Sequence, residues 1–87
     1  MFIVVSHDIK DQKKFFGAAE SVVGGVPSGM KAVQFLPSSD GKQAVCLWEA
    51  KSVDAVKSYL EPKISSSSKN TYYAVDNKVA MGLPVIA

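Results

Sequence analysis

The chain has 87 residues, enough for one small domain, and its charge is nearly balanced, with 10 basic against 8 acidic side chains. The basic side chains are all lysines spread along the chain, whereas nucleic-acid binding usually relies on clustered Lys and Arg, so we expect no nucleic-acid partner. The single cysteine, Cys46, excludes an internal disulfide and a zinc site of paired cysteines, and no apolar run approaches the roughly 20 residues that span a bilayer.

The hydrophobic pattern predicts four strands and two helices in the order β-α-β-β-α-β. Asp11 is placed to cap the first helix, and the helix's apolar residues recur on one stripe. Asp40-Gly41 is a strong hairpin signal between the second and third strands, because Gly readily adopts the positive φ of a tight turn. The predicted elements are a strand over residues 2–6, a helix from 12 to about 23, strands over 30–36 and 43–49, a helix from 53 to about 61, and a strand over 71–81.

The C-terminal half adds weaker signals to this order. Ser52 is placed to cap the second helix, and Pro62 is expected to end or bend it. The serine run at residues 65–68 is typical of a flexible, solvated connector, and Asp76-Asn77 suggests a bulge in the last strand. The complete order predicts a single α+β domain over residues 1–87 with a ferredoxin-like fold. In that fold a four-stranded antiparallel sheet has the spatial order 4-1-3-2, and both helices cover one face.

Both faces of this predicted sheet are apolar. Alternation along the first strand puts His7 on one face together with Ile3 and Val5. The residues that we expect to share this face and to meet the helices are Val33, Phe35, Val45 and Leu47. The opposite face would carry Phe2, Val4, Met30, Leu36, Cys46 and Trp48. Because this patch is large for a monomer, we predict a homodimer packed sheet against sheet, and the apolar tail at residues 83–87 either clasps the partner or frays.

Two stretches of the sequence resemble a known family. VSHDIKD at residues 5–11, followed by Phe15, resembles the V-x-H-x-V-x-D-x-x-x-W/F opening of the small dimeric α/β-barrel proteins. QFLPSSDGKQAVCLWEA, followed by SVDAVKSYLEP, resembles their central hairpin and second helix. Over roughly residues 4–62 the chain is similar to antibiotic-biosynthesis monooxygenases, muconolactone isomerases and stress-responsive barrel proteins. The resemblance implies a dimeric α/β barrel, that is, a homodimer with a pocket between each sheet and its helices or partner.

His7 is the only histidine and the candidate catalytic residue. It can serve as a structural residue at the strand end, as an acid or base in a pocket, or as a metal ligand. A metal site would need Asp8 or Asp11, which face different directions, and Glu49 is roughly 20 Å away at the far end of the third strand. We therefore predict no metal site, and the structural and acid-base roles both remain open.

Four further residues are candidates for ligand contacts. Gln34 interrupts an apolar strand, and its amide needs partners in a pocket, in a partner subunit or in solvent. Cys46 lies mid-strand without a basic neighbour, which is typical of an inert buried thiol, with a nucleophile as the alternative. Trp48 and Tyr72 serve either as core or interface residues or as platforms for a ligand.

These residues leave two function classes open. One is a cofactor-independent oxygenase, isomerase or cyclase that acts on a small apolar or aromatic molecule, with His7 or a tyrosine moving a proton. The other is a non-catalytic dimer that binds a small ligand or a protein. An enzyme should have a closed cavity lined by His7 and a tyrosine, whereas a binding or structural protein should have a filled pocket or an open groove.

The chain carries no recognisable targeting signal. The N-terminal MFIVVSHD is too short for a signal peptide and lacks its basic region. We therefore expect a soluble, cytoplasmic protein without a membrane partner.

Overall fold

The computed structural model describes residues 1–84, and within them the chain forms four strands and two helices. The strands are β1 (Phe2–Ile9), β2 (Lys31–Pro37), β3 (Gln43–Glu49) and β4 (Ser68–Ala74), and the helices are α1 (Gln12–Gly24) and α2 (Val53–Ile64). The strands pair antiparallel in the order β2-β3-β1-β4. This confirms the predicted element order and the ferredoxin-like α+β fold. No helix in the described range is long and apolar enough to cross a membrane. Residues 85–87, which make up most of the predicted apolar tail, lie outside the described residues.

The helix caps and the β2–β3 turn form as predicted. Asp11 and Ser52 each accept a hydrogen bond from the backbone N–H three residues further on, at 3.0 and 3.1 Å. Gly41 has a φ of 75°, and Asp40 Oδ1 accepts a backbone N–H two residues further on at 3.0 Å. These local contacts explain why the start of each helix and the hairpin are readable from the sequence.

Two elements run further than predicted. β1 continues to residue 9, because Ser6 and Asp8 face solvent while His7 stays buried, so the alternation persists through the charged stretch. α2 continues past Pro62, although proline has no N–H for its own helical hydrogen bond. The extra turn buries Ile64 in the core, which favours continuing the helix.

The last strand begins earlier than predicted. β4 covers Ser68–Ala74 instead of residues 71–81, and Asp76 begins a turn beyond it rather than a bulge within it. The prediction of a solvated serine connector is wrong for Ser67 and Ser68, which are both buried. Ser67 accepts backbone hydrogen bonds at 2.8 and 3.1 Å from the residues that follow β1. Pairing with β1, which local patterns cannot reveal, sets the start of β4.

The β1–β3 register puts His7 on the helix-covered face with partners other than those predicted. Ile3 lies opposite Trp48, Val5 opposite Cys46 and His7 opposite Ala44. Cys46 and Trp48 therefore lie on the helix side, and their predicted place on the uncovered face is wrong. Val45 and Leu47 point to the uncovered face, so the prediction that they meet the helices is also wrong. Alternation defines two sets of residues on each strand, but only the register decides which sets share a face.

β2 contains a bulge that changes its alternation. The register with β3 shifts between Ala32 and Gln34, which makes Val33 an extra residue. Phe35 consequently points to the helix side, as predicted, and its ring centroid lies 6.3 Å from that of Phe15.

The core lies between the sheet and both helices. Its buried members are Ile3, Val5, Ile9, Phe15, Val22, Ala44, Trp48, Ala50, Val56, Leu60 and Ile64. The rings of Trp48 and Tyr59 meet edge to face at 6.1 Å, and the Tyr59 hydroxyl donates to the Val22 carbonyl at 2.6 Å. This packing joins both helices to the face that carries His7.

The uncovered face carries an apolar patch that includes Val4 and Leu36, as predicted, together with Val45 and Tyr73, which were not predicted there. Leu36 and Val45 lie opposite each other and are 59% and 41% exposed. Tyr73 lies opposite Val4 and is 53% exposed. Met30, which was predicted for this face, packs against the core instead. We call Leu36, Val45, Val4 and Tyr73 the outer patch.

Candidate functional site

A pocket of about 240 Å³, called here the apolar pocket, opens between α1 and the β2–β3 half of the sheet. Its apolar wall consists of Phe15, Ala19, Val22, Val23, Ala32, Val33, Phe35, Leu60 and Ile64. A cavity of about 150 Å³ holds benzene, and drug-sized ligands occupy about 300–1,000 Å³. The volume therefore suits a small aromatic or aliphatic molecule.

Four of the five predicted site residues line the apolar pocket. His7 reaches it from β1, and Cys46 and Trp48 reach it from β3. Gln34 of β2 borders the pocket but lies opposite Leu47, whose side chain points to the uncovered face. Tyr72 lies outside this lining, and its hydroxyl donates to a carboxylate oxygen of α2 at 2.7 Å. The pocket therefore joins residues that are far apart in the sequence. It meets the expectation for an enzyme in His7 but not in the tyrosine.

His7 is 3% exposed, and both of its ring nitrogens have side-chain partners. Nδ1 lies 2.7 Å from Asn70 Oδ1, and Nε2 lies 3.0 Å from Cys46 Sγ. The ring also meets Phe15 edge to face, with 5.1 Å between centroids. Neither of these partners is a backbone carbonyl.

The surrounding hydrogen bonds determine which nitrogen of His7 carries the proton. Asn70 Nδ2 donates to Glu61 Oε1 at 3.0 Å and to the Ser68 carbonyl at 3.3 Å, so Asn70 Oδ1 is the atom that faces His7. Because Oδ1 can only accept, neutral His7 carries its proton on Nδ1 and leaves Nε2 as an acceptor. The Cys46 thiol is therefore the donor in its contact with Nε2.

Burial keeps the imidazole and the thiol uncharged at neutral pH. It lowers the pKa of His7, while the Asn70 hydrogen bond and the nearby Glu61 charge partly oppose this effect. Burial raises the pKa of the Cys46 thiol to about 12. Burial and the hydrogen bond to Glu61 likewise raise the pKa of Tyr72. The resting pair is thus a neutral base beside a neutral thiol.

Trp48 supplies a buried donor to the same pocket. Its side chain is 2% exposed, and Nε1 has no hydrogen-bond partner within residues 1–84. Trp48 acts on the Cys46 thiol in the direction that lowers its pKa, against the larger effect of burial. An unpaired buried donor costs about 1–3 kcal/mol, and an acceptor atom on a bound molecule would remove this cost.

Asn70 is the site residue that the sequence analysis missed. The β1–β4 register places it directly opposite His7. One signal for it exists, since Asn70 lies two residues before Tyr72 and strand alternation puts both on one face. The preceding serine run resembles a loop and hides the start of that strand.

The expected separation of Glu49 from His7 is confirmed. Glu49 lies opposite Phe2, and its carboxylate is 3.1 Å from the N-terminal ammonium. Across residues 1–84, no three His, Cys, Asp or Glu side chains come together as a metal site would require.

Comparisons with known proteins leave the family open. No protein-family model matches the chain, and neither a curated protein nor a solved structure matches it. Membership of the small dimeric α/β-barrel proteins therefore stays a prediction that rests on the sequence motifs.

Proposed function

We propose that the protein is an enzyme that acts on a small, mainly apolar or aromatic molecule in the apolar pocket, with His7 as its acid or base. The observation that carries this proposal is the meeting of a base, a thiol and an unpaired donor on the sheet side of an otherwise apolar pocket. Ligand sites are commonly apolar clefts with a few convergent polar groups. The resemblance to oxygenases and isomerases of the dimeric α/β-barrel type agrees with such a substrate.

The apolar side chains and the polar groups that line the pocket would contribute differently to ligand binding. The apolar side chains favour removal of apolar surface from water at roughly 25 cal/mol per Å². The Trp48 N–H favours a ligand with one acceptor atom, because that atom satisfies a donor with no partner in residues 1–84. The preferred ligand is therefore an apolar ring or chain that bears a carbonyl group.

A matched pair of ligands tests this preference. Acetophenone and α-methylstyrene have nearly the same shape, but only acetophenone carries an acceptor oxygen. Acetophenone should raise the melting temperature more, and it should change the fluorescence of Trp48, the only tryptophan in the chain. Trp48→Phe should bind both compounds equally.

Two substitutions of alanine by phenylalanine test whether the ligands bind in the apolar pocket. Ala32 is exposed on the pocket wall, so Ala32→Phe should fill the pocket and abolish both ligand effects. Ala74 is exposed at the end of β4 and outside the pocket lining, so Ala74→Phe is the matched control. Binding that survives Ala32→Phe would contradict the proposed site. Binding without turnover of any reactive analogue would favour the alternative, a non-catalytic ligand-binding protein.

We also propose that two copies associate through the outer patch. Its exposed Leu36, Val45 and Tyr73 lie on the sheet face opposite the apolar pocket, so a sheet-to-sheet homodimer would leave the pocket accessible. In sedimentation velocity the wild-type protein should be a dimer and the Leu36→Lys variant a monomer. Val79→Lys, at a 75% exposed position in the turn after β4, should not. A wild-type monomer at micromolar concentration would refute the dimer.

We also propose that the protein is located in the cytoplasm. Cys46 is a free thiol, and free thiols persist in reducing compartments.

A further inference from the structure

We propose that Cys46 is the catalytic nucleophile, that His7 is its general base, and that Asn70 positions His7. The substrates would be esters or thioesters of small apolar acids. This inference rests on the proposed function, because it uses the same pocket and specifies its substrate class.

The geometry of the three side chains carries the inference. The Cys46 thiol donates to His7 Nε2 at 3.0 Å, and His7 Nδ1 donates to Asn70 Oδ1 at 2.7 Å. A nucleophile within hydrogen-bond reach of a base, with a third group orienting that base, is the arrangement of activated nucleophiles, and Cys-His-Asn sets are one known form. Here the hydrogen bonds around Asn70 select the tautomer that such a base needs.

The sheet holds these side chains in place. They come from the neighbouring strands β3, β1 and β4, with Asn70 directly opposite His7 and Cys46 diagonal to it. Asn70 is itself held by Glu61 and Ser68. Strands hold the side chains of a site in more precise positions than loops do.

The apolar pocket gives a substrate access to the sulfur. Cys46 lines the pocket wall two residues before Trp48, on the same face of β3. The Trp48 N–H is buried and has no hydrogen-bond partner within residues 1–84. In this proposal it donates to the carbonyl oxygen of a bound ester and stabilises the oxyanion formed by attack.

Water is the only reactant that the reaction needs besides the ester. Cys46 Sγ bonds to the ester carbonyl carbon while its proton passes to His7 Nε2. The C–O bond to the alcohol then breaks, and the alcohol oxygen takes that proton. Water next attacks the thioester, giving its proton to Nε2, and the C–S bond breaks as the sulfur regains the proton. The products are the free acid and the alcohol.

4-Nitrophenyl acetate tests the chemistry directly. Wild-type protein should release a burst of 4-nitrophenolate stoichiometric with the chain, followed by slower turnover. Intact mass should show one added acetyl group that neutral hydroxylamine removes, as expected for a thioester. Cys46→Ser should lose the burst and the hydroxylamine-sensitive group, since Cys46 is the only thiol.

Two variants test the base and its positioning. His7→Gln should acetylate Cys46 about 10²- to 10⁴-fold more slowly, the usual range for loss of a general base. Asn70→Asp should keep the reaction but raise the pKa of His7, because a carboxylate would replace the amide beside Nδ1. The acidic limb of its rate profile should therefore move to higher pH. An acidic limb that stays in place would mean that His7 is not the base whose titration sets the rate.

The outcomes separate this inference from the proposed function. Acetophenone binding that Ala32→Phe abolishes, without a thioester on wild-type Cys46, would overturn the nucleophile and keep the pocket. Equal acetylation rates in wild type and folded His7→Gln would overturn the base. If His7→Gln does not fold, an unmoved acidic limb in Asn70→Asp overturns the assignment instead. Loss of both acetophenone binding and acetylation in folded wild type would end both proposals.

Discussion

Replacing Asn70 with alanine should cost the free energy of one unsatisfied buried donor, not that of four lost hydrogen bonds. Asn70 Oδ1 accepts from His7 Nδ1 and from Ser68 Oγ, both at 2.7 Å, and Nδ2 donates to Glu61 and to the Ser68 carbonyl. In the variant Ser68 Oγ keeps a backbone acceptor at 3.2 Å, and Glu61 keeps the Tyr72 hydroxyl. The His7 Nδ1–H, in a side chain that is 3% exposed, is the group that loses its partner.

A buried donor without a partner costs about 1–3 kcal/mol. In a domain of this size each kcal/mol lowers the melting temperature by roughly 4–8 °C, so a loss of about 2 kcal/mol corresponds to roughly 8–16 °C. Thermal melts followed by circular dichroism above neutral pH, where His7 is uncharged, measure this shift. Asn77→Ala, at an exposed position in the turn after β4, is the matched control and should melt like wild type.

A double change isolates the His7–Asn70 pair. In a His7→Phe background no ring N–H remains to lose its partner, so Asn70→Ala should cost less there than in wild type. The reasoning about the unsatisfied donor is refuted if Asn70→Ala has the same melting temperature as Asn77→Ala. It is also refuted if Asn70→Ala lowers the free energy of unfolding equally in the wild-type and His7→Phe backgrounds.

Two further predictions concern pH and the hairpin. Acid should destabilise the protein through His7, because burial lowers its folded-state pKa and the unfolded chain therefore binds the proton first. The free energy of unfolding should fall as pH drops below about 6.5 towards the lowered pKa, and His7→Gln should reduce this fall in urea titrations. An undiminished fall would assign the effect to other groups. Gly41→Ala should cost more than Gly29→Ala: both residues have positive φ, which strains alanine by about 1–2 kcal/mol, but only at Gly41 would the new Cβ lie 2.6 Å from Gln12 Oε1. Equal losses in thermal melts would show that Gln12 moves aside.

The element order was predictable because its signals are local. Asp11 and Ser52 cap helices through contacts three residues away, and Gly41 supplies the positive φ of the hairpin. Each of these features acts within a few residues and is visible in a single sequence. The start of β4 was not predictable in this way, because long-range pairing with β1 orders the serine run that precedes it.

The candidate site was predictable only as separate residues. His7 and Cys46 are 39 positions apart, and His7 and Asn70 are 63 apart. Their contacts depend on the register of three strands, and alternation alone assigned Cys46 to the wrong face. The extra residue Val33 likewise shifts the alternation of β2, and no local pattern marks it.

The same extra residue affects how the sheet meets other chains. β2 is an edge strand, so in the part of the chain that the structure describes its outer backbone groups have no strand beside them. Such an edge is a template for strand addition and aggregation. Val33 interrupts the regular row of N–H and C=O groups, Pro37 has no N–H to donate, and Lys31 puts a charge at the other end. The bulge therefore discourages intermolecular growth of the sheet at β2, and this protects a small domain that exposes much apolar surface.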